Sequence, residues 1–214
     1  MAQLDKQRFI ALWQRLGGVT GGVGGAETTF NALVAAYPEP QRAYHTTAHL
    51  IDCLAQFDAV AALADSPDTV EMALWFHDAI YDPRAADNEA RSATWAVQAL
   101  TDAQIPLAIA QNIAGLVLAT QHQQLPQGLD AQLLVDIDLT ILGRAPATFA
   151  EYDRQIRVEY QWVAEAEFRK RRAQVLANFL ARPTIYQTDF FQTRYEQSAR
   201  QNLAQAIELL RNPG

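Results

Sequence analysis

The stretch that decides the fold is Val70-Glu71-Met72-Ala73-Leu74-Trp75-Phe76, which runs directly into His77-Asp78-Ala79-Ile80-Tyr81-Asp82. Apolar residues occupy nearly every side of a helix over residues 67–78, so we expect this helix to lie in the middle of the fold. At about 100° per residue, His77 projects along the same arc as its apolar neighbours and therefore points into the core. An imidazole followed by a carboxylate is costly to bury unless something pairs with both groups.

The rest of the chain also has helical periodicity. Apolar residues recur at spacings of three and four, without a convincing stretch of strict alternation, which predicts an all-α protein. We expect one domain over residues 1–214, with a motif core at about 44–143 and C-terminal helices over 147–211 packing on it. The predicted helices span about 5–16, 27–36, 47–64, 67–78, 88–100, 106–121, 130–142, 147–164, 167–181 and 188–211.

Composition limits the kind of partner. Among 214 residues, 17 basic and 24 acidic side chains give a net charge of −7, which argues against a general binder of nucleic acid or membrane surfaces. The single cysteine, Cys53, excludes an internal disulfide and is typical of a reducing compartment. We find no apolar stretch of the signal-peptide or membrane-spanning type, so we expect a soluble cytoplasmic protein.

The chain has four histidines, and His45 and His49 are spaced four residues apart. This spacing places both imidazoles on one helix face if the helix has begun by Tyr44. Two imidazoles on one face can share a metal or a substrate. The alternative is that they are two ordinary histidines at a helix interface.

A second acidic residue is placed unusually in the stretch AQLLVDIDLTILG, residues 131–143. Asp138 falls between Leu134 and Leu142 on the apolar face of the predicted helix, whereas Asp136 groups with the polar face. A carboxylate on an apolar face needs a cation. The alternative for Asp138 is a structural aspartate that caps another helix.

These residues form a set of one histidine, an adjacent His-Asp pair and a late aspartate, and in this order the chain resembles the HD superfamily of metal-dependent phosphohydrolases. It is especially similar to the uncharacterised bacterial branch of predicted HD phosphohydrolases. The resemblance implies an HD-type helical bundle and a divalent metal ion of Mn, Fe, Ni, Zn, Co or Mg. It makes His49, His77, Asp78 and Asp138 the metal ligands. The stretches that carry it are YHTTAHL, FHDAIYD, DNEARSA, LATQH, DIDLTILG and NFLARPTIYQTDFFQTRYEQSARQNL.

Further likenesses imply catalytic roles. YHTTAHL is similar to the Tyr-His-Asn-x-x-His segment of cyclic-nucleotide phosphodiesterases, which makes His45 the general acid. FHDAIYD is similar to the His-Asp-x-x-Glu-Asp segment of alarmone hydrolases, although Tyr81 stands in place of the glutamate and only Asp82 matches. Asp82 or Glu89 would take a proton from the attacking water.

Phosphate binding requires hydrogen-bond donors, which Arg42, Arg84 and Arg91 could supply close to these motifs. His122 is a further substrate contact or a ligand to a second metal; alternatively it is a surface histidine at a helix C-terminus. The basic run FRKRR, residues 168–172, is interpreted as a solvated helix face, with a contact to nucleotide phosphate as the alternative.

The function that these residues favour is metal-dependent hydrolysis of a small phosphorylated metabolite, and we expect this metabolite to be a nucleotide. We expect no nucleic-acid or membrane partner, and the sequence leaves a homodimer open. One alternative is a metal-stabilised, non-catalytic helical module that senses nucleotides. The other is an HD-type di-iron oxygenase, in which His45 and His122 would help to hold a second iron.

Overall fold

The computed structural model describes residues 4–21 and 24–212, and within them all regular secondary structure is helical, as predicted. Among the described helices, none combines the length and the hydropathy needed to cross a bilayer. The α-helices are α1 (Lys6–Arg15), α2 (Ala26–Ala36), α3 (Thr47–Asp58), α4 (Pro67–Phe76), α5 (Asn88–Asp102), α6 (Leu107–Ala119), α7 (Leu129–Asp138), α8 (Pro146–Glu159), α9 (Glu165–Leu180) and α10 (Asp189–Arg211).

Three predicted helices end well before the predicted residue, and one of them is α8, which ends at Glu159 rather than at about 164. Helix α3 ends at Asp58 and is followed by a short 3₁₀ helix at Ala61–Leu63, so the prediction of one helix to residue 64 was wrong. Helix α7 gives way to a second 3₁₀ helix at Leu139–Gly143. The tighter 3₁₀ turns each close a helix end where the α-helical hydrogen-bond ladder stops.

The chain divides into two compact units, residues 1–135 and 136–214, and the boundary falls inside α7. Whether both units act as one domain stays a prediction. In the first unit α4 packs against α1, α3, α5 and α6, and every residue from Thr69 to Phe76 is buried. This central helix was predicted from its all-round apolar surface.

The core of the first unit is largely aromatic around α4. The Trp75 ring meets the rings of Phe9 and Phe30 edge-on, with centroids 5.1 and 6.0 Å apart. Glu71 is the one charged residue of α4 that lies in this core, and Arg8 and Arg15 pair with its carboxylate at 2.6 and 3.5 Å. The burial of α4 therefore leaves no uncompensated charge at this position.

In the second unit, the 3₁₀ helix Leu139–Gly143 packs against α10. A Cβ atom at Gly143 would lie 2.6 Å from Cβ of Tyr195, so only glycine allows this close approach. The Tyr186 hydroxyl donates to the carbonyl of Leu139 at 3.0 Å, and the Asn202 amide donates to the carbonyl of Leu142 at 2.8 Å. These contacts fix the chain directly after α7 against α10.

The sequence predicted that Asp136 lies on the polar face of its helix. This prediction was wrong, because Asp136 is fully buried. Its carboxylate accepts hydrogen bonds from the backbone N–H groups of Gln187 and Thr188, both at 2.8 Å, and from the Thr188 hydroxyl at 2.7 Å. These residues immediately precede α10. Asp136 is thus a structural aspartate that holds the start of another helix, a role considered from sequence only for Asp138.

We predict that Asp136→Ala lowers the free energy of unfolding by about 2–4 kcal/mol, because three buried donors lose their acceptor. Denaturant unfolding at neutral pH measures the loss. Asp189→Ala removes an exposed carboxylate from the first turn of the same helix and should change stability by less than about 1 kcal/mol. Equal effects of the two substitutions would contradict the structural role of Asp136.

The difference in stability between the wild-type protein and Asp136→Ala should depend on pH. Burial raises the pKa of Asp136 to about 6, although the hydrogen bonds from Thr188 and Gln187 act to lower it. Because the folded pKa is raised, Asp136 contributes more stability at low pH and loses it as the pH rises through about 6. The loss caused by Asp136→Ala should therefore be larger at about pH 5 than at about pH 7.5.

Candidate metal centre

The first histidine motif lies across the start of α3. The Thr46 side chain accepts a hydrogen bond from the N–H of Ala48 and caps the helix, which begins at Thr47. His45 therefore precedes the helix, which begins after Tyr44, so the condition under which His45 and His49 would share one helix face is not met. Their rings nevertheless lie close together, with centroids 5.9 Å apart. The half-buried His45 ring stacks on Tyr81 at 4.3 Å.

His49 and His77 form the centre of the site. His49 lies on α3, His77 follows the last residue of α4, and both are buried, at 5% and 1% exposure. Their Nε2 atoms are 3.1 Å apart. Oδ2 of Asp78 lies 3.1 Å from Nε2 of His77 and 3.4 Å from Nε2 of His49. Three potential ligand atoms thus form a compact triangle. The ligand roles that the resemblance implies for these three residues stay predictions.

The edges of this triangle match the spacing of atoms that share one metal ion. Nitrogen and oxygen ligands lie about 2.0–2.2 Å from Zn²⁺, so two ligands of one ion are about 2.9–3.5 Å apart at tetrahedral or right angles. All three edges, at 3.1, 3.1 and 3.4 Å, fall in this range. A His-His-Asp group of this size, with both imidazoles buried, can hold a metal ion.

Hydrogen bonding prepares these atoms for ligation. Nδ1 of His77 lies 2.7 Å from the carbonyl of Leu74, which can only accept, so Nδ1 carries a proton. In a neutral ring, Nε2 then presents its lone pair to the triangle. Among the described residues, Oδ2 of Asp78 has no hydrogen-bond partner other than the two imidazoles that it contacts. A metal ion would give this oxygen the partner that a buried carboxylate needs.

The charges of the site reinforce each other. Burial opposes ionisation of Asp78, but the positive charge of His77, and then those of His45 and His49, hold the pKa of its carboxyl far below the usual range. Burial also acts to lower the pKa of His77. The Asp78 carboxylate outweighs this effect, so the pKa of His77 is raised well above its usual value. The site therefore favours a positive charge beside Asp78, which a proton or a metal cation can supply.

Cys53 is a site residue that the sequence prediction missed. It lies on α3 four residues after His49, is buried, and places Sγ 3.6 Å from Nε2 and 3.7 Å from Nδ1 of that ring. Ligand atoms of His49, Cys53 and His77 all lie within 4.8 Å of one another. The i, i+4 spacing of a histidine and a cysteine was the available sequence signal.

Asp138 remains a candidate metal ligand. It is the last residue of α7, it is half-buried, and it belongs to the second unit. Its predicted role as a ligand beside His49, His77 and Asp78 stays a prediction.

Arg42 makes several structural hydrogen bonds. Its side chain is fully buried, and its guanidinium donates to the backbone carbonyls of His45, Asp78 and Ala79 at 3.0, 2.7 and 3.1 Å. It also pairs with Glu39 at 3.2 Å. Arg42 thus ties the first histidine motif to the His-Asp turn. The predicted contact of Arg42 with substrate stays a prediction.

The remaining predicted residues are outside the buried triangle. Asp82 is exposed, and its side chain accepts a hydrogen bond from the N–H of Arg84 in a turn. Glu89 is half-buried in the first turn of α5, and Arg84 and Arg91 are exposed. His122 follows α6 with a φ of 55°, in the left-handed region. The catalytic roles of Asp82 and Glu89 and the substrate contacts of Arg84, Arg91 and His122 stay predictions.

The basic run at residues 168–172 is only partly a solvated face. Phe168 and Arg172 are buried, and Arg172 pairs with Asp153 at 2.9 Å. Arg169 donates to the carbonyl of Leu210 at 2.9 Å, near the end of α10. These two arginines therefore have structural roles within the second unit.

Comparisons of the chain with protein families, with curated proteins and with solved structures find no match. What the site can do follows from its own residues.

We predict that the chain binds Zn²⁺ at about one ion per chain and is stabilised by it. His77→Ala and His49→Ala should abolish retention of the ion after dialysis and the shift in melting temperature, because each removes a corner of the triangle. His45→Ala is the matched control and should retain the metal. Metal content and thermal unfolding measure both effects, and equal retention by all four proteins would contradict the site.

We predict that Arg42→Lys weakens Zn²⁺ binding by about 10–100-fold, because one ammonium group cannot span the carbonyls of His45, Asp78 and Ala79. It should also lower the free energy of unfolding by about 2–4 kcal/mol. Arg84→Lys, at an exposed arginine of the same unit, should change neither quantity measurably. Unchanged zinc affinity in a folded Arg42→Lys protein would show that Arg42 does not position the site.

Proposed function

We propose that this protein is a metal-dependent phosphohydrolase that acts on a small phosphorylated metabolite. The observation that supports it most is the triangle of Nε2 of His49, Nε2 of His77 and Oδ2 of Asp78, with edges of 3.1–3.4 Å. A divalent metal held there would lower the pKa of a bound water toward neutrality and offset the charge of the phosphoryl group. The resemblance to HD phosphohydrolases at the same residues supports the same reaction.

The ligand set suits catalysis rather than a closed structural site. Structural zinc sites are usually filled by four protein side chains, whereas catalytic sites keep a position for water or substrate. The imidazoles are almost completely buried, but the Asp78 side chain is 16% exposed. Asp78 therefore marks the side of the triangle from which water and a phosphate ester would approach.

His45 is the residue best placed to protonate a leaving group. Its half-buried ring lies beside that of His49 and stacks on Tyr81, which limits its orientation. Arg42 binds the His45 carbonyl and so fixes the backbone that carries the ring. We assign His45 the transfer of a proton from a ring nitrogen to the departing oxygen.

One observation favours a second function. His49 and His77 are 5% and 1% exposed, which is also what a metal that only stabilises the fold would require. In that case the protein would be a non-catalytic helical module. Metal would raise its melting temperature without supporting turnover.

A hydrolysis screen decides between these functions. Wild-type protein loaded separately with Zn²⁺, Mn²⁺, Co²⁺ and Fe²⁺ is incubated with nucleoside mono-, di- and triphosphates and with cyclic nucleotides, and phosphate or nucleoside release is measured. Asp78→Asn should lose the activity, whereas Asp102→Asn, at an exposed aspartate of the same unit, should keep it. Zinc-stabilised protein without turnover on any class would favour the helical module, and more than one iron per chain with oxygen uptake would favour the di-iron oxygenase.

We predict that His45→Ala is selective for the leaving group. On an alkyl phosphate such as a nucleotide, the variant should lose about 10²–10⁴-fold in kcat, since the departing alkoxide needs a proton. On p-nitrophenyl phosphate, whose leaving group departs without protonation, the loss should be small. Equal losses on both substrates would contradict a general-acid role.

A further inference from the structure

The two buried imidazoles belong to two sets of potential ligand atoms. With Oδ2 of Asp78 they form the triangle described above, and with Sγ of Cys53 they form a second group whose atoms lie within 4.8 Å of one another. The first set offers nitrogen and oxygen, and the second offers nitrogen and sulfur. Which donors bind determines the class of metal that the site prefers.

We infer that the Cys53 thiolate is a direct metal ligand beside His49 and His77, so that the site selects a zinc-class ion over Mg²⁺ and Mn²⁺. The inference rests on the proposed metal site and specifies its metal. With Cys53 as a fourth protein donor, the water that hydrolysis needs would bind as a fifth ligand, a coordination number that zinc reaches in catalysis. Thiolate favours ions such as Zn²⁺, whereas Mg²⁺ and Mn²⁺ prefer oxygen donors.

The distances support a shared ion. Zinc binds sulfur at about 2.3 Å and imidazole nitrogen at about 2.0–2.1 Å, so the two ligand atoms are about 3.1–3.6 Å apart at right or tetrahedral angles. Sγ of Cys53 lies 3.6 Å from Nε2 of His49, within this range. Because Sγ is also 3.7 Å from Nδ1 of the same ring, a rotation of the Cys53 or His49 side chain would bring the sulfur to the side of the Nε2 lone pair. Both side chains come from the same face of α3, so the helix itself holds them together.

Charge supports the same assignment. A divalent ion bound by two neutral imidazoles and the Asp78 carboxylate would carry one net positive charge in a largely buried site. The Cys53 thiolate is an anionic donor of the first unit that would offset this charge. Cys53 is also 1% exposed and directed at ring nitrogens rather than at apolar side chains alone.

The test uses Co²⁺ as a spectroscopic probe of the full-length wild-type protein. Cobalt bound by a thiolate gives a sulfur-to-metal charge-transfer band in the near ultraviolet, in addition to its visible ligand-field bands. Cys53 is the chain's only cysteine, so such a band can arise from no other thiolate. We expect the band in wild-type protein and its loss in Cys53→Ser, with the visible bands retained through the histidines.

Metal competition gives an independent readout. Cys53→Ser should weaken Zn²⁺ binding by at least about tenfold while leaving Mn²⁺ binding nearly unchanged, because only the softer ion loses a preferred donor. Thr29→Ala, at a buried threonine of α2 in the same unit, is the control for the loss of a small polar group and should leave the preference for zinc unchanged.

The outcomes separate the inference from the proposed function. Cobalt that binds with visible bands but without a charge-transfer band would overturn the role of Cys53 and leave the metal site intact. A wild-type protein that binds no cobalt at all would overturn the proposed metal site itself. The wild-type spectrum decides the question even if Cys53→Ser fails to fold.

Discussion

The site depends on one constraint: two imidazole nitrogens and a carboxylate oxygen are held within 3.4 Å of one another in a largely buried place. Polar atoms of this kind are stable there only with a shared cation. Helix α4 delivers His77 because it occupies the centre of the first unit, and α3 delivers His49 and Cys53 from one face. The buried guanidinium of Arg42 holds the turn that carries Asp78.

Much of the architecture could be predicted because it depends on local periodicity. The apolar surface of α4 indicated a central helix, and the arc of His77 indicated that its ring would enter the core. The ten predicted helices all occur in the described residues, with differences at their ends. Where a helix begins or ends depends on capping, and the Thr46 cap leaves His45 outside α3, so the four-residue spacing from His49 does not put both rings on one helix.

The errors concern contacts between residues far apart in sequence. Asp136 was assigned to a polar face, but Gln187 and Thr188 cover that face and donate to its carboxylate. The role of Arg42 was equally hidden, because its acceptors are backbone carbonyls, which any residue provides. Cys53 differs from both residues, because its four-residue spacing from His49 can be read from the sequence. The sequence does not show, however, which side chains surround a single cysteine in the fold.

The central claim is that one metal ion occupies the space between His49, His77 and Asp78. Anomalous diffraction from a crystal of the zinc-loaded protein, recorded at the zinc absorption edge, tests it most directly. The account predicts an anomalous peak about 2.0–2.2 Å from Nε2 of both histidines and from an Asp78 oxygen. Zinc bound only at other side chains, with no peak between the two imidazoles, would contradict it.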